Sequence, residues 1–147
     1  MARFKFLEHT ADVKFQAFGK TIEEAFENSA KALKESICGK IEIKSKKKKI
    51  ITLKKKDLES LLYSFLEEII YLFDAENFII GEISKIKIDG KFNLKATILG
   101  DEASDYDFTN PVKAVTYNEM FIQKEREKHP RKNKETEFWR AQVVLDV

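Results

Sequence analysis

Glu8-His9-Thr10-Ala11-Asp12-Val13 holds residue types that can do chemistry at a spacing that lets them act together. A carboxylate and an imidazole three residues apart can orient each other, hold a divalent ion or carry out general base work. Apolar-alternating stretches, Phe4 to Leu7 and Val13 to Phe18, flank the run, so His9 and Asp12 are expected on the link between two strands, held by a sheet. The same residues also suit a plain turn, with Asp12 capping backbone amides and His9 packed over the sheet.

Two further places carry chemical groups. Phe138 to Val147 runs β-branched and apolar to its last residue, which predicts a final strand tied into the sheet rather than a frayed tail. It sets Asp146 beside the carboxylate of Val147, two anionic oxygen donors on one rigid element. In the middle, Asn110-Pro111 turns the chain into Val112 to Met120, whose alternation puts Lys113 on a strand face, as an exposed edge charge or as a positioned phosphate or partner contact. Asp101 to Asp107 packs four acids into seven residues without the ligand spacing or glycine of a calcium-binding EF-hand loop, and reads as a solvated loop.

The elements that must position these groups follow from periodicity. Thr21-Ile22-Glu23-Glu24 is a capping box, and Ile22, Phe26, Ala30, Leu33 and Ile37 recur at helical spacing until Gly39. Asp57 caps a second helix whose Leu58, Leu61, Leu62, Phe65, Leu66, Ile69, Ile70 and Phe73 make it the most buried one. Ile41 to Lys44 and Ile50 to Leu53 read as short strands around Lys46 to Lys49, a basic edge that suits defence against edge-to-edge pairing ahead of RNA-phosphate contact, since no aromatics are interleaved to stack bases. Phe78 to Ile88 and Phe92 to Leu99 flank Asp89-Gly90, the signature of a two-residue hairpin. Glu125 to Glu135, with His129-Pro130, reads as a mobile loop of mixed charge.

The chain has 147 residues, 43% of them hydrophobic, enough for one domain, 1–147, with a real core and no internal repeat or linker. A net charge of +2 excludes an overall electrostatic case for a nucleic-acid coat or membrane-surface protein. Cys38 has no partner for a disulfide, and with no signal peptide or membrane-spanning apolar run the chain is expected in the cytoplasm. The fold class is α+β, two helices on a mainly antiparallel or mixed sheet.

His9-Thr10-Ala11-Asp12-Val13, Pro111-Val112-Lys113-Ala114-Val115-Thr116-Tyr117 and Trp139 to Val147 appear in the order and at the positions that mark the archease family, which the sequence resembles along its whole length. The resemblance implies an accessory protein rather than an enzyme. It would activate a GTP-dependent, RtcB-type tRNA-splicing RNA ligase by promoting its guanylylation and multiple turnover, could broaden its nucleotide specificity, and would meet RNA through the ligase. It also implies a divalent metal, calcium by the family pattern, on Asp12, Asp146 and the Val147 carboxylate. Lys113 matches the family's central lysine, and His9 belongs to the motif as a residue behind the ligands, since calcium prefers oxygen donors. Asn118 departs from the family pattern, which often has histidine there. A metal-dependent hydrolase built on Asp12, Asp146 and His9 stands as one alternative, and a chaperone or RNA-binding module working through the lysine edge as another.

Overall fold

The computed structural model describes residues 2–8 and 12–147. Among the described residues nine elements form, in the order β1 (Phe4–Leu7), β2 (Val13–Gly19), α1 (Ile22–Cys38), β3 (Lys47–Lys54), α2 (Leu58–Glu76), β4 (Phe78–Ile88), β5 (Asn93–Glu102), β6 (Ala114–His129) and β7 (Lys134–Asp146), with a short 3-10 turn at Ala103–Asp105. The strands divide between two antiparallel sheets, of order β1-β2-β7-β6 and β3-β5-β4. The fold is α+β as expected, although the strands make two sheets where the sequence suggests one.

Local chemistry sets the element ends. Thr21 Oγ1 accepts the Glu24 N–H at 3.1 Å to open α1, and Gly39 closes it with φ 70, a conformation that glycine adopts without steric cost. Asp57 opens α2 by accepting from Ser60 N–H at 2.8 Å and from Ser60 Oγ at 2.6 Å. These bonds hold the Asp57 carboxyl below the usual carboxylate range. Gly19 is required by packing: a Cβ there would stand 2.4 Å from the Ala25 backbone nitrogen, so β2 runs directly into the first turn of α1 only because the side chain is missing.

The helices serve both sheets. α1 packs on β2 and β7 and reaches β4, while α2 packs on β6, β4 and β3. Phe26 and Phe65 meet between the helices with ring centroids 5.8 Å apart, and both are fully buried, as are Phe15, Leu33, Leu61, Leu62 and Ile98. Each such side chain contributes about 1.5–3 kcal/mol through burial.

Three local expectations change. Residues 41–46 form no strand; Ile43 is buried beneath Gly81, and Lys44 N–H donates to the Tyr106 hydroxyl at 2.9 Å. The Asp89-Gly90 link is longer than two residues, because the Asp89 carboxylate accepts the N–H groups of Lys91 and Asn93 and leaves Phe92 at φ 62. The mixed-charge stretch 125–135 is no loop: β6 and β7 continue as a ribbon to His129↔Lys134. Cross-strand pairs of opposite charge line that ribbon, Arg126 with Glu135 at 3.7 Å and with Glu137 at 3.4 Å, and Lys124 with Glu137 at 3.4 Å. A ribbon wet on both faces needs no apolar alternation, which is why the sequence pattern hides it.

Candidate functional site

Strand register brings the chemical groups of the two ends and the middle together. Val13 pairs with Leu145, so Asp12, which leads into β2, comes in beside Asp146 at the end of β7. Ala114 pairs with Asp146 on the other side, and Lys113 N–H donates to the Asp146 carbonyl oxygen at 2.8 Å. Asp12, Lys113, Asp146 and Val147 therefore share one end of the three neighbouring strands β2, β7 and β6. Leu145 is fully buried, whereas Asp146 at the end of β7 and Lys113 are both exposed. Asp12 and Val147 are half-buried, Val147 against the core. Lys113 lies one residue before the strand on which it was expected. His9 falls outside the described residues, together with Thr10 and Ala11.

A depression of about 390 Å³ adjoins this end, lined by Glu8, Asp12, Lys14 and Glu35 with apolar Phe6, Leu7 and Val13. Among the described residues no three His, Cys, Asp or Glu side chains are grouped closely enough to hold a metal ion. The side-chain carboxylates at these strand ends are Asp12 and Asp146. Both are hard oxygen donors of the kind calcium and magnesium take.

The same three strands are cross-tied by a polar relay that sequence reasoning missed. Gln16 Nε2 donates to Gln142 Oε1 at 2.9 Å, and Gln142 Nε2 donates to the Glu119 carbonyl at 2.8 Å. Both glutamines are 8% exposed, and Lys14 pairs with Glu119 at 3.5 Å. The relay holds a wide bulge in β6, where residues 117–120 intervene between the pairs Thr116↔Val144 and Phe121↔Gln142, and Glu119 takes φ 56. Asn118, the departure from the expected motif, sits exposed in this bulge with its N–H on Thr116 Oγ1 at 3.3 Å. The bulge also lifts Tyr117 onto Tyr63 of α2, the rings 4.0 Å apart and 5° from parallel. Burial, then the charges of Asp57 and Glu67, raise the Tyr117 hydroxyl above its ordinary range. Two glutamines at sheet positions between apolar neighbours were the available signal.

Cys38 is buried at the end of α1, and burial pushes its thiol up, the reverse of what a nucleophile needs. Among the described residues no helix is long and apolar enough to cross a membrane.

The chain matches the model of the Archease protein family over residues 4–147. It belongs to the archease family. It is 38% identical to the protein archease of Pyrococcus furiosus over 100% of both chains, and 37% identical to that of Methanosarcina barkeri over 99% of this chain and 96% of the other. Among solved structures, Methanobacterium thermoautotrophicum protein 1598 superposes over 100% of both chains with a TM-score of 0.78 and 30% identity. An archease of Thermotoga maritima, described as a possible chaperone, shares the fold with a TM-score of 0.60 at 22% identity, covering 97% of this chain and 96% of that one.

Proposed function

We propose that this archease-family protein activates a GTP-dependent RNA ligase of the RtcB type, promoting guanylylation of the ligase and its multiple turnover, with a broadened nucleotide specificity as a further consequence. The observation that carries the reading is the convergence of Asp12, Lys113 and Asp146 at one end of the β2-β7-β6 set in a chain of this family. Asp12, Asp146 and the Val147 carboxylate would hold a divalent cation, calcium by the family pattern, and such an ion neutralises the carboxylates and offers a Lewis-acidic centre to phosphate oxygens. By the family pattern His9 would serve as an orienting residue rather than a ligand. Lys113 has its backbone fixed by the bond to Asp146 and its ammonium exposed, so it can meet a phosphate or a carboxylate of the partner without reorganising the strand.

The protein acts by docking this end near the nucleotide site of the ligase, and carries out no ligation itself. Its contact with RNA in this role is indirect, and its place is the cytoplasm. The deciding experiment mixes it at substoichiometric amounts with an RtcB-type ligase, GTP and metal, and follows covalent guanylylation. Faster guanylylation over many turnovers is expected. GTP hydrolysis by the protein alone, lost in Asp12→Ala, would favour the hydrolase reading instead.

A further inference from the structure

We infer that the outer face of the β3-β5-β4 sheet is a docking surface for the phosphate backbone of RNA. Alternation and register define the face. Ile51 and Leu53 of β3 turn to the core, so Lys48, Ile50, Thr52 and Lys54 turn out. Thr52, Lys95 and Lys87 then form one row across the three strands, and Ile50, Thr97 and Lys85 the next. Five exposed ammonium groups, those of Lys48, Lys54, Lys85, Lys87 and Lys95, share this surface.

The surroundings of Lys48, Lys54, Lys87 and Lys95 leave them for a partner, while Lys85 borders a depression that also holds Glu23, Glu24 and Glu27 of α1. Among the described residues none of the five pairs with a carboxylate, whereas Lys47 and Lys49, at the alternate positions of β3, bind Glu102 at 2.6 Å and Glu76 at 2.8 Å. Asp89 at the rim is occupied by the N–H groups of Lys91 and Asn93 and by the Asn93 amide. Lys87 lies directly opposite Lys95, an arrangement of like charges that works against the sheet. Edge defence accounts for lysines on β3 and β4, but β5 is the central strand and Lys95 has no edge to guard. A depression of about 420 Å³ opens among Thr52, Lys54, Lys87 and Lys95.

The side-chain types select the occupant. The cations are all lysine, point charges suited to phosphate, without the forked arginines that carboxylate recognition favours, and the acidic Glu82, across Leu99 from Lys48 at one end of the face, accepts from Ser45 Oγ at 3.3 Å. Same-face lysines along a strand are about 6.6–6.8 Å apart, a spacing that a phosphodiester chain can follow. No aromatic ring stands on these rows to stack a base, so the backbone is read and binding does not depend on sequence. The apolar content is Ile50, 57% exposed, with the part-buried Leu99 beside Lys48, too little for the core of a protein interface or for insertion into a bilayer.

The test measures anisotropy of a fluorescein-labelled tRNA transcript between about 50 and 200 mM salt, against labelled polyglutamate and phosphatidylserine vesicles. Wild type is expected to bind the transcript in preference to the other two polyanions. Lys87→Ala/Lys95→Ala should weaken binding about tenfold at the lowest salt and flatten the salt dependence by about two phosphate equivalents. Lys132→Ala/Lys134→Ala, with the same charge change at the β6–β7 hairpin, should bind as wild type. Thermal melts should place the first variant no lower than wild type, since it removes a like-charge pair. Equal losses in both variants, stronger binding to polyglutamate or vesicles, or no binding of the transcript at the lowest salt would each overturn the inference. Guanylylation measured without RNA should be untouched by Lys87→Ala/Lys95→Ala, so this surface and the proposed ligase activation fail separately.

Discussion

The end of the four-stranded sheet and the outer face of the three-stranded sheet both gather like charges, and they do it by opposite means. At the strand ends, two aspartates 134 positions apart come together because Val13 pairs with Leu145, and a third strand adds Lys113. On the face, lysines gather because every second residue of a meander turns outward. Few groups at a fixed point make a site that one substitution destroys. Many groups spread over a surface make one that erodes by increments and yields to salt. The polar relay Gln16, Gln142 and the Glu119 carbonyl ties together the same strands whose ends carry the aspartates, and no such crossbar accompanies the lysine rows among the described residues.

The largest effect should come from Asp146→Ala. Its side chain is exposed, so the melting temperature should stay near that of wild type, while calcium affinity falls by about tenfold or more, about 1.4 kcal/mol, and ligase activation falls with it. Calorimetric titration and the guanylylation assay check both. Full metal binding by a folded variant would end the contrast between a point-like site and a distributed one. Adding a tag after Val147 should lower metal affinity in the same way, and an N-terminal tag should not.

Next comes Gln142→Leu, which takes its acceptor from the buried Gln16 amide and removes the tie to the bulge at the Glu119 carbonyl. Unsatisfied buried groups of this kind cost about 1–3 kcal/mol, or roughly 2–4 °C in melting temperature per kcal/mol for a chain of this size. Activation should fall too, because strands β2, β7 and β6 no longer hold their ends in fixed register. A variant that melts earlier but activates fully would show that register at the strand ends is set by main-chain pairing alone.

Much of this was legible in the residues. The capping box Thr21/Glu24, the Asp57 cap, the apolar stripe of α1 and the all-round apolar α2 emerge from spacing, because helix periodicity is local. The convergence of Asp12 with Asp146 was reached through motif resemblance and the apolar final strand, since pairing between distant strands leaves no local trace. The β6 bulge and the relay beneath it were missed for the same reason: the partners of Gln16 and Gln142 lie in other strands. The charged ribbon beyond residue 124 was misread because its stabilising pairs are ionic and cross-strand rather than apolar and periodic.

Lys113→Ala should be a milder test of the strand ends. The exposed ammonium has no packing role, so stability should change by no more than about 0.5 kcal/mol, with activation reduced and metal affinity retained. Separating the two readouts, metal titration and guanylylation rate, decides whether Lys113 meets the partner or merely decorates the strand.

The smallest effect concerns a carboxylate that contrasts with both charged regions. Asp101 on β5 is 3% exposed and accepts the Tyr106 hydroxyl at 2.8 Å and the Glu102 N–H at 2.8 Å, so its partners are internal. The Tyr106 bond above all, against an opposing effect of burial, holds the Asp101 carboxyl below the usual range, with lesser help from the Glu102 N–H and from Lys46 and Lys47. A depressed folded value means that this contribution to stability is fully present above the unfolded value of about 3.9 and is lost as pH falls through the folded one. Tyr106→Phe removes the main donor, and with it the link through which Lys44 N–H anchors residues 41–46. Urea midpoints should therefore show the variant below wild type at about pH 7, with the gap narrowing below about pH 4 as Asp101 protonates in both proteins. Ligase activation and calcium affinity should match wild type. A gap of constant size at every pH would assign the whole effect to the Lys44 anchor, and loss of activation would extend the functional surface beyond the strand ends to the far side of β5.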